Sequence, residues 1–200
     1  PEGAVVFTVE YKDDTNFNLI AADGTYLTSG GTGNSMSYAA DESACSQWNL
    51  KAKEGTDLFY IYNSGANYNG NYNQAMEVYY SAFTTYGWKD SNIYEFQLYV
   101  KTAGTDTPDT PVEPEDPDVP VEPEDPEVPD TPVEGVEVFA LATELKDGDE
   151  LVIYYPTESL VMGSNLDDRN RVVGIATDAP TDCILTLPEG AVVFTVEYKD

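Results

Sequence analysis

Histidine is absent from the 200 residues, cysteine occurs twice, and lysine and arginine together number 9 against 37 acids. Without histidine the commonest general base and the commonest transition-metal ligand are missing, which excludes histidine-dependent triads and most zinc sites within this sequence. A formal charge of −28 argues against nucleic acid as a partner, because phosphates are gripped by clustered Lys and Arg. Anionic membrane surfaces are disfavoured for the same reason. No run of 18 apolar residues occurs, so no membrane insertion is expected from a helical span. Paired carboxylates for glycoside hydrolysis must stand at a fixed separation in a cleft, and among so many acids spacing selects no pair. The expectation is a protein that is not an enzyme and takes no cofactor.

What the sequence does contain is a long exact duplication. PEGAVVFTVEYKD occupies residues 1–13 and again 188–200, so Pro188 lies 187 positions after Pro1. A recurrence of that length predicts a tandem array with one domain per 187-residue repeat. Residues 1–104 then read as the C-terminal part of one repeat unit and 134–200 as the N-terminal part of the next, a circularly permuted view of the domain around the segment that joins them. Each part lacks its other half and leaves sheet edges to be paired. The expected partners are neighbouring repeats, with the halves combining either within one chain or head to tail between chains. Val5–Val9 and Val192–Val196 are expected to compete for one slot.

The joining segment, 105–133, carries proline at every third position from Pro108 to Pro132, with Asp, Glu, Val and Thr between. Polyproline II has three residues per turn, so the rings fall along one edge of a rod about 80–90 Å long. No Lys or Arg interrupts it between Lys101 and Lys146, and self-repulsion stiffens it further. It reads as an acidic linker that spaces domains. Thr105, Thr107, Thr110 and Thr131 are candidate O-glycosylation sites.

On either side of the linker, short apolar or alternating stretches are separated by Gly, Asn and Asp turns, and no helical period is present. Strands are expected at 136–141, 150–155, 172–176, 183–187, 191–198, 18–22, 26–28, 47–52, 58–62, 75–80, 83–86 and 94–100. The fold class is therefore all-β. A kernel of an aromatic, one residue and an aliphatic recurs as Phe7 with Val9, Trp48 with Leu50 and Phe96 with Leu98. Alternation puts both members of each pair on one face, which suits the threefold repetition of a β-trefoil; a β-sandwich is the alternative. ELKDGDELVI, ILTL, VFTVE, DGTYLTS, WNL and FQLYVK also resemble a β-trefoil-like accessory module of secreted and cell-surface multidomain proteins of anaerobic bacteria. That resemblance implies an extracellular, non-catalytic module and carries no functional residue to transfer.

Candidate sites are few. The stretch YNSGANYNGNYNQ, 62–74, offers tyrosine faces for stacking on sugar rings and Asn amides for hydroxyls, with Tyr68, Tyr72, Tyr86 and Trp88 as the proposed glycan-binding surface. The bland alternative is a wet, Gly-rich loop. In SNLDDRN, Asn165, Asp167 and Asp168 offer oxygen ligands to calcium, but the Asp-x-Asp-x-Asp-Gly spacing is missing and a solvated turn competes. Cys45 and Cys183 either form a disulfide, which would add about 4 kcal/mol in a chain-entropy account, or are two small buried thiols. Two functions follow: a structural and adhesive tandem-repeat module of a bacterial surface or extracellular fibre protein, or a carbohydrate-binding accessory module of a secreted enzyme. Both place the chain outside the cell.

Overall fold

In the computed structural model, residues 16–30, 34–68, 72–87, 94–102, 137–142 and 144–199 are described. They form fourteen strands and no α-helix. Before the linker come β1 Phe17–Ala21, β2 Tyr26–Ser29, β3 Met36–Ala39, β4 Trp48–Ala52, β5 Phe59–Tyr68, β6 Tyr72–Tyr79, β7 Ala82–Gly87 and β8 Gln97–Thr102. After it come β9 Val138–Leu141, β10 Glu150–Tyr155, β11 Leu160–Leu166, β12 Val172–Ala176, β13 Ile184–Leu185 and β14 Phe194–Tyr198. The all-β expectation holds, and every strand pairing is antiparallel.

The pairing path runs β1, β4, β5, β6, β7, β12, β11, β10, and β14 pairs with both β10 and β1, so the ladder closes on itself. β2 and β3 extend from β1, while β8, β9 and β13 extend from β10. Strands from the two sides of residues 105–133 therefore alternate in one sheet, with β8 hydrogen-bonded to β9 and β10. Of the duplicated text, the copy at 188–200 supplies β14; residues 1–13 lie outside the described residues, as does the linker with Thr105, Thr107, Thr110 and Thr131.

Sequence explains why β10 sits at the centre. LVIYY is apolar at every position, the mark of a strand covered on both faces. Leu151, Ile153 and Tyr155 join a large core with Phe17, Trp48, Phe96 and Phe194, whereas Val152 and Tyr154 turn to a smaller cluster with Tyr99, Phe139 and Leu185. Neighbouring β11 divides in the same way, Leu160 and Met162 inward and Val161 outward. The kernel pairs Trp48 with Leu50, Phe96 with Leu98, and Phe194 with Val196 are all buried in the large core. Each such side chain stabilises the fold by about 1.5–3 kcal/mol through burial. The indole of Trp48 also satisfies its donor, with Nε1 donating to the Leu27 carbonyl at 2.8 Å.

The turns follow their chemistry. In KDGD, Gly148 takes a φ of +84°, Lys146 N donates to Asp149 Oδ2 at 2.7 Å, and Gly148 N donates to Val196 O at 2.8 Å, tying the turn to β14. At Asp23, one carboxylate oxygen accepts from both the amide and the hydroxyl of Thr25.

Three expectations need correction. β3 and β11 are absent from the expected strands, because MSYA and LVMGSNL, though bounded by turn residues, carry too little apolar alternation to mark them as strands. The loop reading of 62–74 is overturned, since β5 runs on to Tyr68 and β6 starts at Tyr72. Two of its polar residues are strand residues with internal partners: buried Asn63 donates from Nδ2 to Cys45 O at 2.6 Å, and buried Gln74 accepts from Thr85 Oγ1 at 3.0 Å and from Ser29 Oγ. Finally, Cys45 and Cys183 are both free thiols, Cys45 half-buried in the 3₁₀ turn Ala44–Ser46 and Cys183 exposed beside β13.

Candidate functional site

β6 and β7 are joined by a two-residue turn, Tyr80-Ser81, between the paired residues Tyr79 and Ala82. Tight hairpins of this kind need positive φ at both central positions, which favours Asn and Gly. Here φ is +50° at Tyr80 and +55° at Ser81, so two ordinary residues hold a costly backbone conformation, a feature that concentrates at functional sites. The turn presents aromatic surface to solvent: Tyr80 is 77% and Tyr79 49% exposed, with their rings edge to face and centroids 4.4 Å apart.

The two arginines of the sequence stand beside this pair. The Arg171 guanidinium lies 5.8 Å from the centre of the Tyr79 ring, and its Nη1 donates to Tyr79 O at 3.0 Å. Asp167 holds it there: Arg171 Nε donates to Oδ2 at 2.7 Å and Nη2 lies 2.5 Å from the same atom. The other oxygen of Asp167 accepts the amides of Arg169 and Arg171, both at 2.9 Å. Burial pushes the Asp167 carboxyl upward, but these hydrogen bonds outweigh it and hold the group below the ordinary carboxylate range.

Acids and further phenols continue the patch. Ser81 Oγ donates to Glu158 Oε2 at 3.0 Å. Glu77, on the same side of β6 as Tyr79 by alternation, is pushed up by burial. Opposite it on β7, the buried Thr84 hydroxyl has no hydrogen-bond partner, the one such side-chain oxygen among the described residues. Tyr94 is raised first by burial and then by the charges of Glu77 and the neighbouring groups, and its ring lies 5.9 Å from that of Tyr155. A guanidinium, two carboxylates and exposed phenol rings in one place can bind a polyhydroxylated ligand through ring stacking and charge-assisted hydrogen bonds.

The residues expected from the sequence are distributed differently. Tyr68 and Tyr72 are backbone partners at the end of the β5–β6 pair. Tyr86 is half-buried on β7 opposite Ala75, and Trp88 lies outside the described residues. The calcium reading of Asn165, Asp167 and Asp168 is not supported by the geometry, because both carboxylate oxygens of Asp167 are committed to Arg171 and nearby amides. No group of three or more Cys, Asp or Glu side chains able to hold a metal occurs among the described residues. Tyr79, Tyr80 and Arg171 were missed; the available signal was YYSA between two strand runs, a tight turn lacking the usual Gly or Asn.

No family model, no curated protein and no solved structure matches this chain.

Proposed function

We propose that this chain is a non-catalytic structural and adhesive module of a tandemly repeated extracellular surface or fibre protein, with β domains strung on acidic proline-rich struts. The observation that carries the reading is the exact duplication of residues 1–13 at 188–200, text whose second copy supplies the strand that closes the ladder. In such an array the strand would follow 134–187 and run directly into 14–104, so that each domain is continuous and the linker joins complete domains. A β-trefoil-like arrangement is favoured over a sandwich by the closed ladder and by three kernel pairs meeting in one core. A tandem of two 187-residue units in small-angle scattering should give two compact bodies about 80–90 Å apart; a single compact particle contradicts the reading.

A carbohydrate-binding role is the second reading, and the exposed Tyr79–Tyr80 pair beside Arg171 favours it. On a glycan array, binding that disappears in Tyr79→Ala/Tyr80→Ala supports this role. Binding that survives the double substitution moves the site elsewhere, and silence of the parent protein leaves the structural role alone.

A further inference from the structure

The position of β14 is defined by two walls. Along β1 the partners run from Phe17 with Tyr198 to Ala21 with Phe194, and along β10 Glu150 and Leu151 face Thr195 and Phe194. Inside this slot Phe194 stacks on Tyr38 with centroids 6.3 Å apart, and Val196 is fully buried. Tyr198 sets its ring edge against Phe17 at 6.0 Å and donates from its hydroxyl to Leu145 O at 3.0 Å. Val196 exchanges backbone bonds with Gly148 and Asp149 at 2.8 and 2.9 Å, and Glu197 accepts from Asn18 Nδ2 at 3.1 Å.

Every group that the slot reads lies between Ala191 and Lys199, and every one has an identical twin 187 positions earlier, from Ala4 to Lys12. The end of β14 is also placed suggestively: Lys199 N donates to Asn16 O at 2.9 Å, beside the residue through which the first copy is joined to β1. A strand ending at Tyr11 would reach β1 through residues 12–16, a hairpin loop of ordinary length. We propose that the slot between β1 and β10 is a strand-acceptor site whose second ligand is the segment Ala4–Tyr11 of this chain. The two ligands are identical in sequence and offer the slot the same side chains and backbone groups, so the difference between them lies in how each is tethered. The site rests on the duplicated text and its slot, and holds whatever the role of the module.

The test uses the full chain with a charge placed on the buried face of either copy or of both: Val9→Asp, Val196→Asp and the double variant. Thermal unfolding should place each single variant within about 3 °C of the parent, because the intact copy fills the slot, and the double variant roughly 10 °C or more lower. A chain ending at Leu187 repeats the test without a new charge and should also stay near the parent, until Val9→Asp is added to it. The proposal is overturned if Val196→Asp or the truncation falls as far as the double variant, or if the double variant melts with the parent.

Discussion

Asp167 organises more of the surface than any other single carboxylate described, since it orients the guanidinium that lies over Tyr79 and accepts two loop amides. Asp167→Ala strands a mostly buried Arg171, whose side chain is 11% exposed; denaturant titration at pH 7 should show a loss of about 2 kcal/mol. Because the folded protein holds this carboxyl below its ordinary value of 3.8, its contribution is present above that value and fades as pH falls through the lowered one. Parent and variant should therefore converge under strong acid. Glu77 has the opposite sign. Burial raises it above 4.5, so the fold favours its neutral form, and the stability it lends below pH 4.5 is lost as pH rises through the raised value. Glu77→Gln should raise the unfolding midpoint at pH 7 and leave it unchanged at pH 4.

Among the elements, the 3₁₀ turn Ala44–Ser46 is seated against β5 through a glycine. A Cβ at Gly65 would lie 1.9 Å from Ala44 O, a backbone atom that can retreat only by lifting the turn from the strand. Gly65→Ala should cost roughly 1–3 kcal/mol, measured by thermal unfolding, and should weaken protection of the Asn63 side chain bonded to Cys45 O. Strands were legible where the text is strongly apolar or cleanly alternating, as in LVIYY of β10 or the kernel of β14. They were illegible where polar residues face inward. Asn63 and Gln74 look like loop residues until their buried partners are known, and those partners are the carbonyl of Cys45 in the 3₁₀ turn and the hydroxyls of Thr85 on β7 and Ser29 on β2, which only the folded register brings together. The exposed tyrosines were hidden for a related reason: only the register of β6 against β7 decides that the strand ends at Tyr79 and that Tyr80 opens the turn.

For the whole molecule, charge and connectivity matter most. At a net charge of −28 self-repulsion opposes compaction, and the Debye length shortens from about 30 Å at 0.01 M to about 10 Å at 0.1 M salt. Raising the salt across that range should raise the unfolding midpoint; a fall would mean that the described ion pairs, such as Lys101 with Glu137 and Glu150, outweigh the repulsion. Connectivity modifies the linker reading. Thr102 and Val138 are directly paired, so within this chain the segment between them is anchored at both ends on adjacent strands, where the sequence alone suggested the two ends of a strut. A strut role is part of the proposed array, in which each domain would be continuous. The central claim is that residues on both sides of the linker build one closed sheet, joined by the β8–β9, β8–β10, β7–β12 and β1–β14 pairs. A protease site placed in residues 105–133 tests it directly. After complete cleavage the two fragments should sediment together as a single folded particle with unchanged β-sheet signal, whereas separation into two species would contradict the account.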